Sequence, residues 1–169
     1  GEVGRALRSV LHSRGRTFRR TAGLTGFGHI PPEELRMYIP ASFAVDDPAT
    51  LHAFVDSFPF ATLISMGDAP EVTHIPLLLD AEAGELLGHL AKANPHAKRL
   101  AEERVLAIFH GPHAYISPSW YEADVAVPTW NYAVIHVRGT AELLSEKETK
   151  SLLDRTVEKF ESPHETPWP

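Results

Sequence analysis

Apolar residues in this chain fall into short blocks, and the spacing inside the blocks switches repeatedly between a helical period near 3.6 and a strand period of 2. Asp46-Asp47-Pro48 offers a helix cap and a first-turn proline, and Leu51, Phe54, Val55 and Phe58 then recur at helical spacing until Pro59 ends the run. Residues 60–66 (FATLISM) read as a strand closed by Gly67-Asp68, with residues 72–79 (VTHIPLLL) as its hairpin partner. Residues 85–91 (ELLGHLA) predict a third strand, and Asn94-Pro95 caps and opens a helix running to about Glu103. Residues 105–109 are a fourth strand, His110-Gly111-Pro112 a turn, and residues 113–116 a short extended piece. Residues 131–144 (NYAVIHVRGTAELL) have the length of one long or bulged strand, with Gly139 as the expected bulge. Ser145 and Glu148 make a capping box for a last helix that buries Leu152, Leu153, Val157 and Phe160.

Five or six short strands with hairpin-length connections predict a mainly β, α+β fold: an antiparallel barrel with a few short helices at the strand ends. Fourteen Pro and eleven Gly disfavour a helical bundle, and the absence of regular βαβ alternation counts against a Rossmann fold. No internal repeat or low-complexity segment is present. The last helix leads to Trp168-Pro169 without a further strand pattern, so a small barrel needing one more strand to close would be left with an open edge.

A length of 169 residues fits a single core, and 43% hydrophobic with 22% charged residues is the balance of a soluble globular chain. The lack of Cys excludes a disulfide framework, Cys-ligated metals and thiol catalysis. No apolar run approaches the roughly 20 residues that cross a bilayer, so a cytoplasmic protein with no membrane partner is expected. Charge is divided unevenly. Residues 1–36 hold seven Arg, no Lys and three acids, a net of +4, whereas the rest holds nine Lys or Arg against nineteen acids, a net of −10. The first 36 residues lack sustained periodicity, and Pro31-Pro32 separates them from the patterned remainder of the chain. They read as a disordered basic leader: a nucleic-acid arm, an Arg-rich targeting peptide, or sequence upstream of the true start. Met37 is the first Met and patterning begins just after it, which favours the last of these.

Three clusters could carry chemistry. In Thr73-His74-Ile75-Pro76 a Pro sits within a strand, which confines that strand to an edge or bulge where a ligand has access; the same motif also serves as a plain edge device. Gly88-His89-Leu90-Ala91-Lys92-Ala93-Asn94-Pro95, continuing to His96 and Lys98, gathers imidazole and cationic groups where a strand hands over to a helix. In an otherwise acidic domain this reads as a phosphate cradle, against the alternative of a capped helix with a solvated Lys pair. Residues 111–132 hold two of the three Trp and three of the four Tyr, stiffened by Pro112, Pro118 and Pro128. Such a loop packs a planar ligand, a second subunit or its own barrel. No metal-ligand spacing occurs among the ten His, Ser117-Pro118-Ser119 lacks a nucleophile-elbow frame, and the domain from Met37 has no basic face for DNA. No catalytic residue is assigned.

These residues resemble the PaiB family, described as FMN-binding negative transcriptional regulators of the split-barrel flavin fold. The matching stretches are Met37-Tyr38-Ile39-Pro40, Pro59-Phe60-Ala61-Thr62-Leu63-Ile64-Ser65, His74-Ile75-Pro76, Gly88-His89-Leu90-Ala91 with Ala93-Asn94-Pro95, residues 111–121 (GPHAYISPSWY), and Val127-Pro128-Thr129-Trp130-Asn131-Tyr132. The resemblance covers Met37 to about Trp168 and implies a homodimeric split barrel with FMN at the subunit interface. It places the FMN phosphate near His74, His89, Lys92, Asn94, His96 and Lys98. Trp120, Trp130, Asn131 and Tyr132 would then wall the flavin ring or the dimer contact, with His136 facing the same site. The strong Arg and Lys phosphate ligands of related oxidases are replaced here largely by His and Asn, so a weak, pH-dependent FMN affinity is expected. Family members look as though they continue past the equivalent of Trp168 with another strand, so this chain is expected to be truncated there.

The resemblance implies a role in negative control of transcription, with any effect on DNA indirect because the domain is acidic. A flavin-dependent oxidoreductase of the same fold is the alternative, and a haem-binding or haem-degrading split barrel a further one.

Overall fold

Seven strands make one antiparallel sheet in the computed structural model, in the order β3-β2-β6-β7-β1-β5-β4. The strands are β1 (Arg5–Leu11), β2 (Phe60–Met66), β3 (Pro70–Pro76), β4 (Leu78–Asp80), β5 (Glu85–Leu90), β6 (Arg104–Ile116) and β7 (Thr129–Leu143). Among the described residues three α-helices accompany them, α1 (Pro48–Ser57), α2 (Pro95–Arg99) and α3 (Glu146–Glu161), with single 3-10 turns at Ala41–Phe43 and Pro118–Trp120. The structure describes residues 5–11, 39–101, 103–122, 125–166 and 168, with residues 5–11 and Ala41 described by backbone alone. Among these residues no helix is long and apolar enough to cross a membrane.

The helix ends follow their sequence signals. Asp47 accepts hydrogen bonds from the Thr50 hydroxyl at 2.6 Å and the Thr50 amide at 2.8 Å, which in that order hold its carboxyl below the usual range, and the amide bond starts α1. Ser145 and Glu148 form the reciprocal capping box of α3. Helix α2 is shorter than expected, ending at Arg99 rather than near Glu103, because Leu100 leaves the helix fully buried in the core.

The two edges of the sheet, β3 and β4, are consecutive in the chain and separated by Leu77 alone. The single strand expected over residues 72–79 is therefore bent. Leu77 is buried, its amide donates to the Pro59 carbonyl at 2.9 Å, and β5 packs tightly against the bend. A Cβ on Gly88 would stand 2.5 Å from Leu77 Cδ2 and 3.3 Å from the Pro76 carbonyl, so the close approach that Gly88 permits is to this corner. The sheet curls until one bent stretch supplies both edges. This is the antiparallel, mainly β architecture with short helices that suits a split barrel, although the hydrogen-bonded ladder stays open between β3 and β4.

Inside the curl lies one apolar cluster built from alternate residues: Ala61 and Leu63 of β2, Ile75 of β3, Leu86 and Leu90 of β5, Ala107 and Phe109 of β6, with Val55 of α1 and Leu100. A smaller cluster of Leu78, Leu87 and Leu152 seats α3 on the other side of β5.

Two strand expectations are corrected. The turn expected at His110-Gly111-Pro112 is a bulge inside one 13-residue strand, β6, with the register to β7 shifting between His110 and His113. The extra residue is accommodated where Gly111 leaves room for the Phe54 ring of α1, and Pro112 is tolerated because a bulge frees it from the ladder. The bulge expected at Gly139 is absent: that residue pairs regularly with Val105. The first 36 residues also depart from expectation in one place, since Arg5–Leu11 forms β1 between β5 and β7; the remaining residues of that leader lie outside those described. Buried β5 and the Ala141 end of β7 present edges that need a neighbour, and that demand outweighs the weak local patterning of the segment.

Replacing Gly111 with Ala would put a methyl group 2.6 Å from the Phe54 ring, a clash that requires the ring or α1 itself to move. The expected cost is about 1–3 kcal/mol of stability, read as a lower denaturant midpoint with an unchanged slope. An unaltered midpoint would contradict this packing.

Candidate functional site

Because strand residues alternate, filling the inner face fixes which residues line the outer one. Across β3, β2, β6 and β7 the register aligns His74, Thr62, Ile108 and His136 in one row, and Val72, Ile64, Leu106 and Arg138 in the next. The Thr62 hydroxyl and His74 Nδ1 share a hydrogen bond of 3.1 Å, which orients the imidazole over the sheet. His136 is held below the usual imidazole range, first by burial and then by Arg138 and His110 on the same face. Ile64, Leu106 and Ile108 are half-buried, and Phe60, Met66 and Val72 are exposed, so this face is apolar with imidazoles set into it.

The bulge extends that face. Beyond it, His113 pairs with Tyr132 and Tyr115 with Trp130, so β6 and β7 project as a two-stranded arm. Tyr132 and Trp130 follow His136 and Val134 at a spacing of two, which keeps them on the outer side. The one-residue shift on β6 brings His113 and Tyr115 to that side as well. The Trp130 ring lies 6.0 Å from both the His113 and Tyr115 rings, the latter edge-on. Where arm meets sheet, a recess of about 270 Å³ is lined by His110, Gly111, His113, Tyr132, Ala133 and Val134. Trp130 and Tyr132 are 59% and 68% exposed, so these rings present open planes.

The second group of expected ligands lies where β3 meets α2. Asn94 caps α2 by accepting from the His96 amide at 3.0 Å, and its side-chain amide donates to Thr73 Oγ1 at 3.4 Å. His96 points inward: it is 3% exposed, Nδ1 shares a 2.8 Å hydrogen bond with Thr73 Oγ1, and buried Nε2 has no hydrogen-bond partner. Burial, ahead of every other influence, lowers its basicity. Arg99 at the end of α2 donates to both carboxylate oxygens of Glu71, holding that acid below the usual range.

The ten expected site residues therefore divide. His74, His136, Trp130 and Tyr132 share the outer face and its arm, and Asn131 lies on the arm opposite Ala114. His89 is half-buried near the end of β5, and Lys92 and Lys98 are exposed on either side of the α2 start. Asn94 and His96 are committed to building that start, and α2 is a five-residue helix whose first amides are used by its own cap. The α2 start accordingly offers an anion the exposed Lys92 and Lys98 side chains rather than helix amides, whereas His74 lies on the opposite face of β3 from the Thr73 that touches α2. Sequence reasoning missed Thr62, His110 and Arg138, and it named His113 and Tyr115 only within the aromatic segment 111–132. A period of two through residues 132–138 (YAVIHVR) was the available signal for Arg138, while the side on which His113 and Tyr115 lie became visible only with the bulge.

A flavin mononucleotide needs an apolar plane for its ring, polar groups along its side chain and a cation near its phosphate. Aromatic planes beside a recess, a hydroxyl-imidazole row and the exposed Lys92 and Lys98 flanking the α2 start fit those needs in kind.

Comparison with known proteins gives the same direction. The family model described as "Putative FMN-binding domain" matches residues 37–169. The protein "Protease synthase and sporulation protein PAI 2" of Bacillus subtilis is 38% identical over 135 residues, covering 78% of this chain and 65% of that protein. Uncharacterized proteins of Emericella nidulans and Aspergillus fumigatus are 29% and 28% identical, with 77% of this chain and 67% and 66% of theirs covered. The chain thus spans about two thirds of the length of these relatives.

Burial favours neutral His96 in the folded protein, so the unfolded chain takes up a proton at pH values where the folded one does not. Stability should be full above the usual imidazole value of 6.5 and fall as pH drops below it. Thermal midpoints between pH 8 and pH 5 are expected to decline less steeply for His96→Gln than for the parent chain. Parallel profiles would contradict the assignment.

Proposed function

This chain belongs to the PaiB family of FMN-binding domains, and from that membership we propose that it binds FMN on the outer face of β3, β2, β6 and β7. The reading includes a homodimer, in which a second copy covers the same face and sandwiches the cofactor, and a cytoplasmic role in negative control of transcription. The observation that carries it is the uncovered apolar face with His74, Thr62 and His136 in one row, prolonged by the aromatic arm. An exposed face of half-buried aliphatic residues is the kind of surface that a ligand or second subunit covers. In this seating the ring lies toward Tyr132, Trp130 and the bulge recess, and the phosphate lies toward His74, His89 and Lys92 at the β3 edge. FMN supplies a redox-active ring; the chain supplies the plane that holds it and, in His136, an imidazole kept neutral beside it.

The regulatory part draws on the family and on the name of the Bacillus relative, which refers to protease synthesis and sporulation. With a net charge of −10 from Met37 onward, the domain repels the DNA backbone, so control would pass through a partner. A promoter fragment should show no retardation by the protein alone at low salt; a retarded band would overturn the indirect route. A flavin-dependent oxidoreductase is the second reading, favoured by the neutral His136 as a proton carrier. Anaerobic addition of NADPH to the FMN-loaded protein bleaches the flavin absorbance on that reading and leaves it unchanged on the first.

Titration of the purified chain with FMN, followed by quenching of flavin fluorescence, is expected to saturate at one FMN per protomer. Removing the ring plane with Trp130→Ala should weaken binding about 2- to 12-fold, the equivalent of about 0.5–1.5 kcal/mol for an aromatic stack. His74→Ala should weaken it as well, whereas Lys147→Ala on α3 should not. Equal affinity in all four proteins would contradict the seating, and no quenching in any would contradict FMN binding itself.

A further inference from the structure

The sheet is completed by a strand from outside the family-matched region. Residues 37–169 contribute β2 through β7, and within that set β5 and β7 are not bonded to each other: β1 stands between them. Six residues of β1 pair with β5, from Arg5↔Leu90 to Val10↔Glu85, and five pair with β7, from Leu7↔Leu143 to Leu11↔Gly139. The slot has buried walls, with Leu86, Leu90 and Ala141 each 2% exposed. Two strand edges facing one another across a strand's width carry unmet N–H and C=O groups, at a cost of about 1–3 kcal/mol for each one left unsatisfied in an apolar surround.

Backbone groups satisfy this demand, so the slot selects for an extended segment that is free of proline over the paired length, and only secondarily for side chains. RALRSVL meets that condition. In register, Leu7 and Leu11 fall opposite Gly88 and Gly139, the least bulky positions on the two walls. In sequence the segment is separated from the next described residue, Ile39, by residues 12–38. By contrast β2 to β3, β3 to β4 and β4 to β5 are joined by connections of three, one and four residues.

We propose that the gap between β5 and β7 is a strand-acceptor site, and that Arg5–Leu11 is its detachable occupant, held in cis by its linker and replaceable by the same strand supplied in trans. The inference rests on backbone pairing rather than on the flavin reading, although β7 and, through His89, β5 belong to both sites.

The absence of Cys from the chain makes a clean test available. Ser9→Cys combined with Ala141→Cys joins Cα partners across β1 and β7, and oxidation is expected to give an internally cross-linked monomer. No cross-link, or a covalent dimer in its place, would overturn the seating in cis. Exchangeability is read with a fluorescein-labelled peptide of residues 3–13, titrated by polarisation against the full chain and against its Ser9→Pro variant. Proline removes a ladder donor from a strand bonded on both sides, so the variant should release its own strand and bind the peptide about ten-fold tighter or more. A peptide that itself carries Ser9→Pro should not bind. Equal binding by both proteins, or none by either, would overturn the proposal. Should Ser9→Pro fail to fold, hydrogen exchange on the parent chain decides: shared protection of residues 5–11 and 139–143, lost when excess unlabelled peptide displaces the strand and leaves residues 5–11 exchanging, supports it. Free exchange of residues 5–11 without peptide, or protection that excess peptide leaves unchanged, overturns it.

Discussion

A residue placed in the core of a β-sheet sends its two chain neighbours to the opposite face, and most of this protein's architecture results from that constraint. Packing Ala61, Leu63, Ile75, Ala107 and Phe109 inside the curl leaves no freedom for Thr62, His74, Ile108 and His136, which must share the outside. The core and the candidate cofactor face are two readings of one register. Slipping any of these strands by a residue would exchange them, exposing the aliphatic set and burying the imidazoles. The bulge in β6 is the one place where the rule is broken, and there it brings His113 and Tyr115 to the side already occupied by Tyr132 and Trp130.

Much of the fold was legible because each signal was local. The caps at Asp47, Asn94 and Ser145, the hairpin at Gly67-Asp68 and the long strand ending near Leu144 all depend on residues within a few positions of one another. What escaped depends on distant partners. His110-Gly111-Pro112 has turn chemistry, and only the Phe54 ring arriving from α1 and the continuous pairing with β7 make it a bulge. Leu77 breaks an apparently uniform strand because Pro59 offers it a carbonyl and Gly88 lets β5 crowd the bend. Arg5–Leu11 has little strand signature of its own and is placed by the unmet edges on either side.

The candidate site was half legible for a related reason. Residue types near the start of α2 pointed to an anion, but two of them, Asn94 and His96, are consumed by capping and burial, which no inventory of side chains distinguishes from ligand binding. Conversely Arg138 and Thr62 attract no notice individually and gain their interest from the row in which the register sets them. The chain offers one open wall of aromatic and imidazole groups.

Backbone amide spectra of isotope-labelled protein, recorded with and without FMN, test the central claim most directly. The account predicts shifts concentrated at residues 62, 74, 108 and 136 and along the arm at 130–134, with α3 silent. Shifts centred on α3, with the outer face unmoved, would contradict it.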